Sequence, residues 1–228
     1  MLSNYIYISR GVFLTLFITV ICLFFGMVIG FVAGSCIFFK VKFISIFQTN
    51  VKKKLLLENR GFFNLPSLYE FFILYTKFFI NTPILTQIFI MYFVVPINCS
   101  AFVSGLIVLS LNSGAHVSVI ILEALENIPN NHWDTAVSLG FAPIESLKKI
   151  FIKYIIITNR KSLFNEFIQL IKESSVLSMF GVREICFRSK EISAKEYNYF
   201  PYMLFVSFVY LFIIYIFEKI YNRYIKKL

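Results

Sequence analysis

Residues 126–151 read ENIPNNHWDTAVSLGFAPIESLKKIF, a polar stretch set between two apolar runs. At helical pitch Trp133, Ala136, Val137, Gly140 and Phe141 fall at i, i+3, i+4, i+7 and i+8, one apolar stripe on a short helix. Asn131 is placed to cap that helix, with Asp134 three residues later in the position of a capping-box partner. Pro143 suits the first turn of a second short helix, Glu145 sits near its positive end and four residues before Lys149, and Ile144, Leu147 and Ile150 form its apolar stripe. The pattern predicts two short helices joined at Gly140. Neither is long enough to be stable in water by itself, so each must dock on something.

What surrounds this stretch sets the class. The chain has 228 residues, 58% of them apolar and 29 of them Phe, with a mean hydropathy of +0.77. That much apolar surface exceeds what one soluble core hides, so lipid is its solvent. A span needs roughly 20 apolar residues to cross a hydrocarbon core of about 30 Å. About five candidate runs meet that length, near 12–39, 70–97, 101–122, 151–180 and 200–217. The expectation is an all-α integral membrane protein, one transmembrane domain over 1–228, with 123–150 as a loop between the third and fourth spans. Residues 1–11 carry no basic patch ahead of the first apolar run, and no small-residue cleavage site follows it, so that run is expected to be an uncleaved span.

The net charge of +10 does not point to nucleic acid, because the basic residues sit in loops flanking spans rather than along one face. Lys40, Lys42, Lys52, Lys53, Lys54 and Arg60 fall in one loop, Lys148, Lys149 and Lys153 follow the opening stretch, and Lys219, Arg223, Lys226 and Lys227 end the chain. Arg10, Arg183, Arg188, Lys190 and Lys195 are the smaller set on the other side. With five spans, the positive-inside rule places the N-terminus outside, the C-terminus in the cytoplasm and 123–150 facing the cytoplasm. Cys22, Cys36, Cys99 and Cys186 lack metal-ligand spacing and read as packing residues. No metal site or cofactor is expected.

Polar features inside the runs narrow the reading. Gly26, Gly30 and Gly34 in GMVIGFVAG lie at four-residue spacing, a groove along one helix face where a neighbouring backbone can come close. In the second run Pro83 interrupts the helix, and Thr82 and Gln87 place polar groups at membrane depth. Asn112 in the third run must face protein or water. The run 151–180 carries Arg160, Lys161, Glu166, Lys172 and Glu173, too costly to face hydrocarbon. These charges line either a pathway or a seam between helices.

Several blocks carry a resemblance. WDTAVSLG, followed by IFIK, is similar to the cytoplasmic Glu-Ala-Ala, three residues, Gly signature of ABC importer permeases, with Asp134, Thr135, Ala136 and Gly140 on the signature positions and Lys153 where the family has proline. INTPILTQ (80–87), LSLNSGAHVSVIILEALENIPNNHWDTAVSLG (109–140) and NEFIQLIKESSVLSMFGVREI (165–185) resemble, in that order, the histidine/glutamine/arginine group of polar amino-acid permeases, glutamine-type chains most closely. Departures are Lys77 where the group has Glu, Ile80 and Asn81 for Arg-Gly, and Lys161, Ser162 and Phe164 in place of a Pro-Pro-x-Gly kink.

The resemblance implies a type I ABC importer permease in a bacterial inner membrane, not itself an enzyme. It implies cytoplasmic ATPase subunits, a second permease subunit, identical or sister, and an extracytoplasmic amino-acid-binding protein as partners. Consistent with that, the chain has no Gly-x-x-x-x-Gly-Lys-Ser/Thr loop to cradle nucleotide phosphates. Trp133, Asp134, Ala136 and Gly140 would couple to the ATPase, with the Trp133 stripe as the docking face. Thr82, Pro83, Gln87, Asn112, Glu166, Lys172 and Glu173 are candidates for the pathway or its packing. A secondary transporter or channel would instead use the charges at 160–173 as an ion relay.

Overall fold

In the computed structural model, residues 2–49, 66–96 and 99–225 are described, and throughout them the chain is helical or connects helices. Lys52, Lys53, Lys54, Arg60, Lys226 and Lys227 lie outside the described residues. The elements are α1 (Leu2–Ser9), α2 (Gly11–Thr49), α3 (Pro66–Asn81), α4 (Ile84–Phe89) with a π-helical turn Ile90–Val94, α5 (Ala101–Glu126), α6 (Asn130–Ser138) and α7 (Pro143–Ser146). After a second π-helical turn, Leu147–Phe151, come α8 (Ile152–Thr158), α9 (Arg160–Glu173), a 3-10 turn Ser174–Phe180, α10 (Ile185–Lys195) and α11 (Phe200–Ile225). Among the described residues three helices are long and apolar enough to cross a membrane, Ser3–Phe39, Ala101–Glu126 and Phe200–Arg223. Leu68–Asn81 with Ile84–Val94 forms a broken pair that could serve as one more. The break falls at Thr82–Pro83, where proline cannot continue the helix and Thr82 Oγ1 donates back to the Phe78 carbonyl at 2.7 Å.

Residues 151–180, expected as one apolar run, are divided between α8, α9 and the 3-10 turn. α8 ends at Asn159, whose φ of −105° and ψ of 17° leave the helical range and whose side-chain amide donates to the Ile155 carbonyl at 3.2 Å. α9 holds Arg160, Lys161, Glu166, Lys172 and Glu173 within fourteen residues, a polar face that pure lipid exposure would penalise.

Contacts divide the chain into two units. The first comprises Met1–Leu23, Ile84–Leu109 and Phe167–Leu228. One of its cores gathers Ile18, Cys22, Ile88, Leu109, Leu170 and Leu177, and another gathers Ile8, Ile171, Ile185, Tyr202, Val206 and Ile213. α1 is clasped to α10 and α11. Tyr7 donates to Glu191 Oε2 at 2.7 Å, the Arg188 guanidinium lies 4.7 Å from the Tyr7 ring centroid, and Tyr5 packs on Phe205 with ring centroids 4.8 Å apart.

The joint between α10 and α11 is made by a buried carboxylate. Glu184, 0% exposed, caps α10 by accepting from the Phe187 N–H at 2.7 Å and accepts from the Tyr210 hydroxyl at 3.1 Å. Burial pushes its carboxyl above the usual range, against the opposing pull of these hydrogen bonds and of Lys190. The folded state therefore holds a proton on Glu184 more readily than the unfolded chain does. Stability from this joint is present at low pH and declines as pH rises through the elevated folded value. Glu184→Gln, which keeps an acceptor oxygen, is expected to flatten that decline in thermal unfolding followed against pH. Glu184→Ala removes the cap and the acceptor of the Tyr210 hydroxyl, which among the described residues keeps only the Cys186 thiol at 3.9 Å, a loss of about 1–3 kcal/mol.

The second unit comprises Phe24–Pro83 and Ser110–Glu166. Here the glycine face of α2 meets α5. A Cβ on Gly26 would lie 2.7 Å from Ser113 Oγ, one on Gly30 2.6 Å from Val117 Cβ, and one on Gly34 2.6 Å from the Ser118 carbonyl oxygen. Only hydrogen fits there. α3 is pinned to α5 by polar groups that satisfy one another within the bundle: Tyr75 donates to the Leu111 carbonyl at 2.5 Å, Thr76 and Ser118 share a hydrogen bond of 3.1 Å, and Asn112 Nδ2 donates to the Phe79 carbonyl at 3.0 Å. Buried polar atoms at membrane depth need such partners, and each pair fixes register as well as contact.

Candidate functional site

The bend at residues 130–151 belongs wholly to the second unit. α5 ends as Asn127 N–H donates to the Glu123 carbonyl at 3.0 Å and the buried Ile128 turns inward. α6 begins at Asn130, one residue before the expected cap. Asn131 therefore lies within the first turn, where its Oδ1 accepts from the adjacent His132 N–H at 3.1 Å. Thr135 and Ser138 hydroxyls donate to carbonyls four residues back, those of Asn131 at 2.7 Å and Asp134 at 2.8 Å.

The helix ends through Gly140, whose φ of +82° is the left-handed conformation that glycine adopts without steric cost. Phe141 N–H then reaches back to the Ala136 carbonyl at 3.1 Å. This is the six-to-one hydrogen bond of a Schellman motif. The second helix starts two residues on. Pro143 holds its first position, Glu145 Oε2 accepts from the Ala142 N–H at 3.2 Å, which is half of a capping box, and Glu145 pairs with Lys149 at 3.6 Å. Both groups are more than half exposed, so the pair adds little to stability.

Trp133 anchors the bend. It is 8% exposed, stacked on Phe38 of α2 with ring centroids 5.6 Å and planes 24° apart, edge-on to Phe39, and 4.2 Å from Phe151. Ala136, Leu147, Phe151 and Ile155 join it in one buried cluster with Val117, Ile121 and Leu125 of α5. Trp133 and Ala136 of the stripe that the sequence suggests as a docking face for a partner are thus turned against the protein's own helices, whereas Gly140 at its far end is exposed. Asp134, Thr135, Ser138, Leu139 and Gly140 occupy the opposite, exposed face. Leu139 is 67% exposed, a large apolar side chain at the tip of the bend. Its signal in the sequence is its position, immediately before the glycine and off the stripe.

The remaining candidates are dispersed. Pro83 is exposed at the break between α3 and α4, and Thr82 beside it is half-buried. Gln87 and Asn112 are each 4% exposed, as is Glu166. Glu173 is half-buried and accepts from Gln169 Nε2 at 2.7 Å, whereas Lys172 points to the outside. Of the candidates, Trp133 and Ala136 share one buried cluster, while Asp134 and Gly140 share the exposed side of the same bend. Among the described residues no group of three or more His, Cys, Asp and Glu side chains is placed to hold a metal ion.

Comparison with known proteins gives a consistent set of likenesses. A family model described as the inner membrane component of binding-protein-dependent transport systems matches residues 61–228. A chain of Rickettsia typhi named as a glutamine transport system permease protein is 31% identical over 208 residues, 90% of this chain and 85% of its own. An arginine transport system permease protein of Bacillus subtilis is 26% identical over 207 residues, 90% of this chain and 84% of its own. Among solved structures, the crystal structure of an amino acid ABC transporter with histidines matches with a TM-score of 0.78 at 22% identity, over 100% of this chain and 97% of that one. An inward-facing structure of the MetNI methionine ABC transporter matches with a TM-score of 0.71 at 16% identity, over 96% of this chain and 95% of that one. Both structural likenesses speak to the fold.

Proposed function

Because the chain belongs to the family of binding-protein-dependent transport system inner membrane components, we propose that it is the permease subunit of an ATP-driven importer of a polar amino acid, glutamine before arginine or histidine. The cargo rests on the names of relatives at about 30% identity. The coupling role rests on one observation: the bend at Gly140 is held from behind by Trp133 and presents a compact exposed face. Asp134, Thr135, Ser138, Leu139 and Gly140 form the contact with a cytoplasmic ATPase subunit, and Trp133 and Ala136 transmit its movement to α2, α5 and α8. Closure of an ATPase pair around nucleotide then shifts the bend as a rigid lever, and two permease subunits alternate the access of the pathway between them. A binding protein delivers the amino acid on the other side, where the loop 181–199 is the contact.

A contact in the first unit bears on the parity of the spans. Tyr5 packs against Tyr202 and Phe205, so the starts of α1 and α11 lie at one end and the number of crossings between them is even. α2, the broken pair as one span, and α5 make three. Residues 151–180 then supply the fourth, α11 is the fifth, and the two termini fall on opposite sides, N-terminus outside by the charge count.

Gly140→Leu tests the lever. A Cβ at this position meets nothing within 4 Å, so the fold survives with about 1–2 kcal/mol of left-handed strain, while a bulky side chain stands at the contact tip. Normal insertion with a loss of ATP-dependent uptake in reconstituted vesicles is expected. Uptake at the wild-type rate would sink the lever.

A further inference from the structure

Two neighbouring cavities lie along α11. One is an open groove of about 590 Å³ between the α1–α2 region and α11. Val12 and Leu16 form one wall, and Phe205, Val209, Phe212 and Ile216 the other. Among the described residues, Ser9 is the single lining one with a polar side chain. The other cavity, about 430 Å³, opens at the C-terminal end of the same helix among Tyr215, Glu218, Lys219, Asn222 and Arg223.

The two share no lining residue, and their linings overlap in sequence along α11. Phe212, Ile216, Lys219 and Arg223 follow one another at three- and four-residue steps, so they form one stripe from the first lining to the second. The apolar part runs from Phe205 to Phe217, about 18 Å at the helical rise. Half of a hydrocarbon core is about 15 Å. The apolar part therefore has the depth of one leaflet, measured inward from the basic end. Among the described residues two cations, Lys219 and Arg223, line that end with one acid, Glu218, and neither cation has an ion pair. The Lys219 ammonium instead stands 6.0 Å from the Tyr215 ring, an aromatic at the level where such side chains mark the membrane interface.

Charge selects the occupant. A helix from a second copy would cover the apolar wall only by drawing Lys219 and Arg223 away from water, an expensive exchange. An acidic soluble protein could meet the two cations but could not fill a groove of leaflet depth. An anionic phospholipid satisfies both parts, and its net negative charge distinguishes it from a zwitterionic lipid, which carries its own cation. We infer that this site seats one anionic phospholipid, an acyl chain along Phe205 to Ile216 and the phosphate between Lys219 and Arg223, with the Asn222 amide as a further donor.

The inference stands apart from the coupling role and has its own readout. The assembled transporter is placed in nanodiscs of phosphatidylcholine with graded phosphatidylglycerol, and lipid retained on release is counted by native mass spectrometry. Wild type is expected to keep phosphatidylglycerol preferentially. Lys219→Gln with Arg223→Gln should weaken that retention about thirtyfold, each basic side chain at the membrane surface contributing. Ile216→Trp, which fills the groove and leaves the charges, should also lower it. Glu218→Gln should raise it. Unchanged retention in the double variant overturns the site, and loss in the charge variant without loss in Ile216→Trp overturns the acyl seat. Efficient disulfide cross-linking of Phe212→Cys to a second copy in native membranes would assign the groove to a subunit contact instead.

Discussion

Trp133→Ala is expected to abolish ATP-driven uptake while leaving the permease inserted in the membrane. Removing a buried Trp side chain costs about 3–5 kcal/mol through lost transfer energy and the cavity left behind. Here that loss falls on one joint. The indole touches Phe38, Phe39 and Phe151, which together hold α6 against α2 and the start of α8. Short helices of nine and four residues have little stability of their own, so the bend detaches locally while α2, α5 and α11 persist. Hydrogen exchange should accelerate over residues 130–151 and remain slow in α5. Trp133→Phe, which keeps an aromatic ring in the stack, should retain part of the activity. Wild-type uptake with the alanine variant would show that the bend is not held through this side chain.

Gly30→Leu is expected to prevent the second unit from assembling. The first added carbon would lie 2.6 Å from Val117 and 2.7 Å from the Gly114 carbonyl oxygen, and that backbone atom cannot step aside as a side-chain tip could. The cost exceeds the about 1–3 kcal/mol usual for an overpacked core, because α2 and α5 must separate along the face that Gly26 and Gly34 also keep clear. The hydrogen bonds from Tyr75 and Asn112 to α5 and α3 depend on the same register. The measurement is the yield of monodisperse protein after detergent extraction, which should fall to a small fraction of wild type. Gly140→Ala is the control, since it meets no neighbour and should extract normally. If Gly30→Leu extracts as well as that control, the close crossing is not required.

The family was legible in the sequence because its motifs sit on local structure. Asp134 to Gly140, Thr82 to Gln87 and Asn165 to Ile185 resemble ABC importer permeases, and the family model matches the same region of the chain. The bend was legible for a related reason. A glycine after an amphipathic turn and a proline three residues later are local instructions, and both act in the structure as their chemistry requires. The glycine groove followed from spacing alone.

Other features had no local signal. Glu184 reads as one acid in a mixed-charge loop, yet it is fully buried, caps α10 and ties it to Tyr210, a residue 26 positions away. The division of 151–180 at Asn159, where φ is −105° and ψ 17°, is likewise unmarked by any proline or glycine at that position.

From the sequence by itself came the solvent, the helical class, the break at Pro83, the turn at Gly140 and the family, since hydropathy, proline and glycine act within a few residues of where they stand. Tertiary structure alone decided which way the Trp133 stripe faces. A 3.6-residue period says that one side of a helix avoids water, and it is silent on whether the apolar surface opposite belongs to a partner or, as here, to Phe38 and Phe151 of the same chain. The face left exposed is consequently the one that periodicity marks as polar, with Leu139 at its tip.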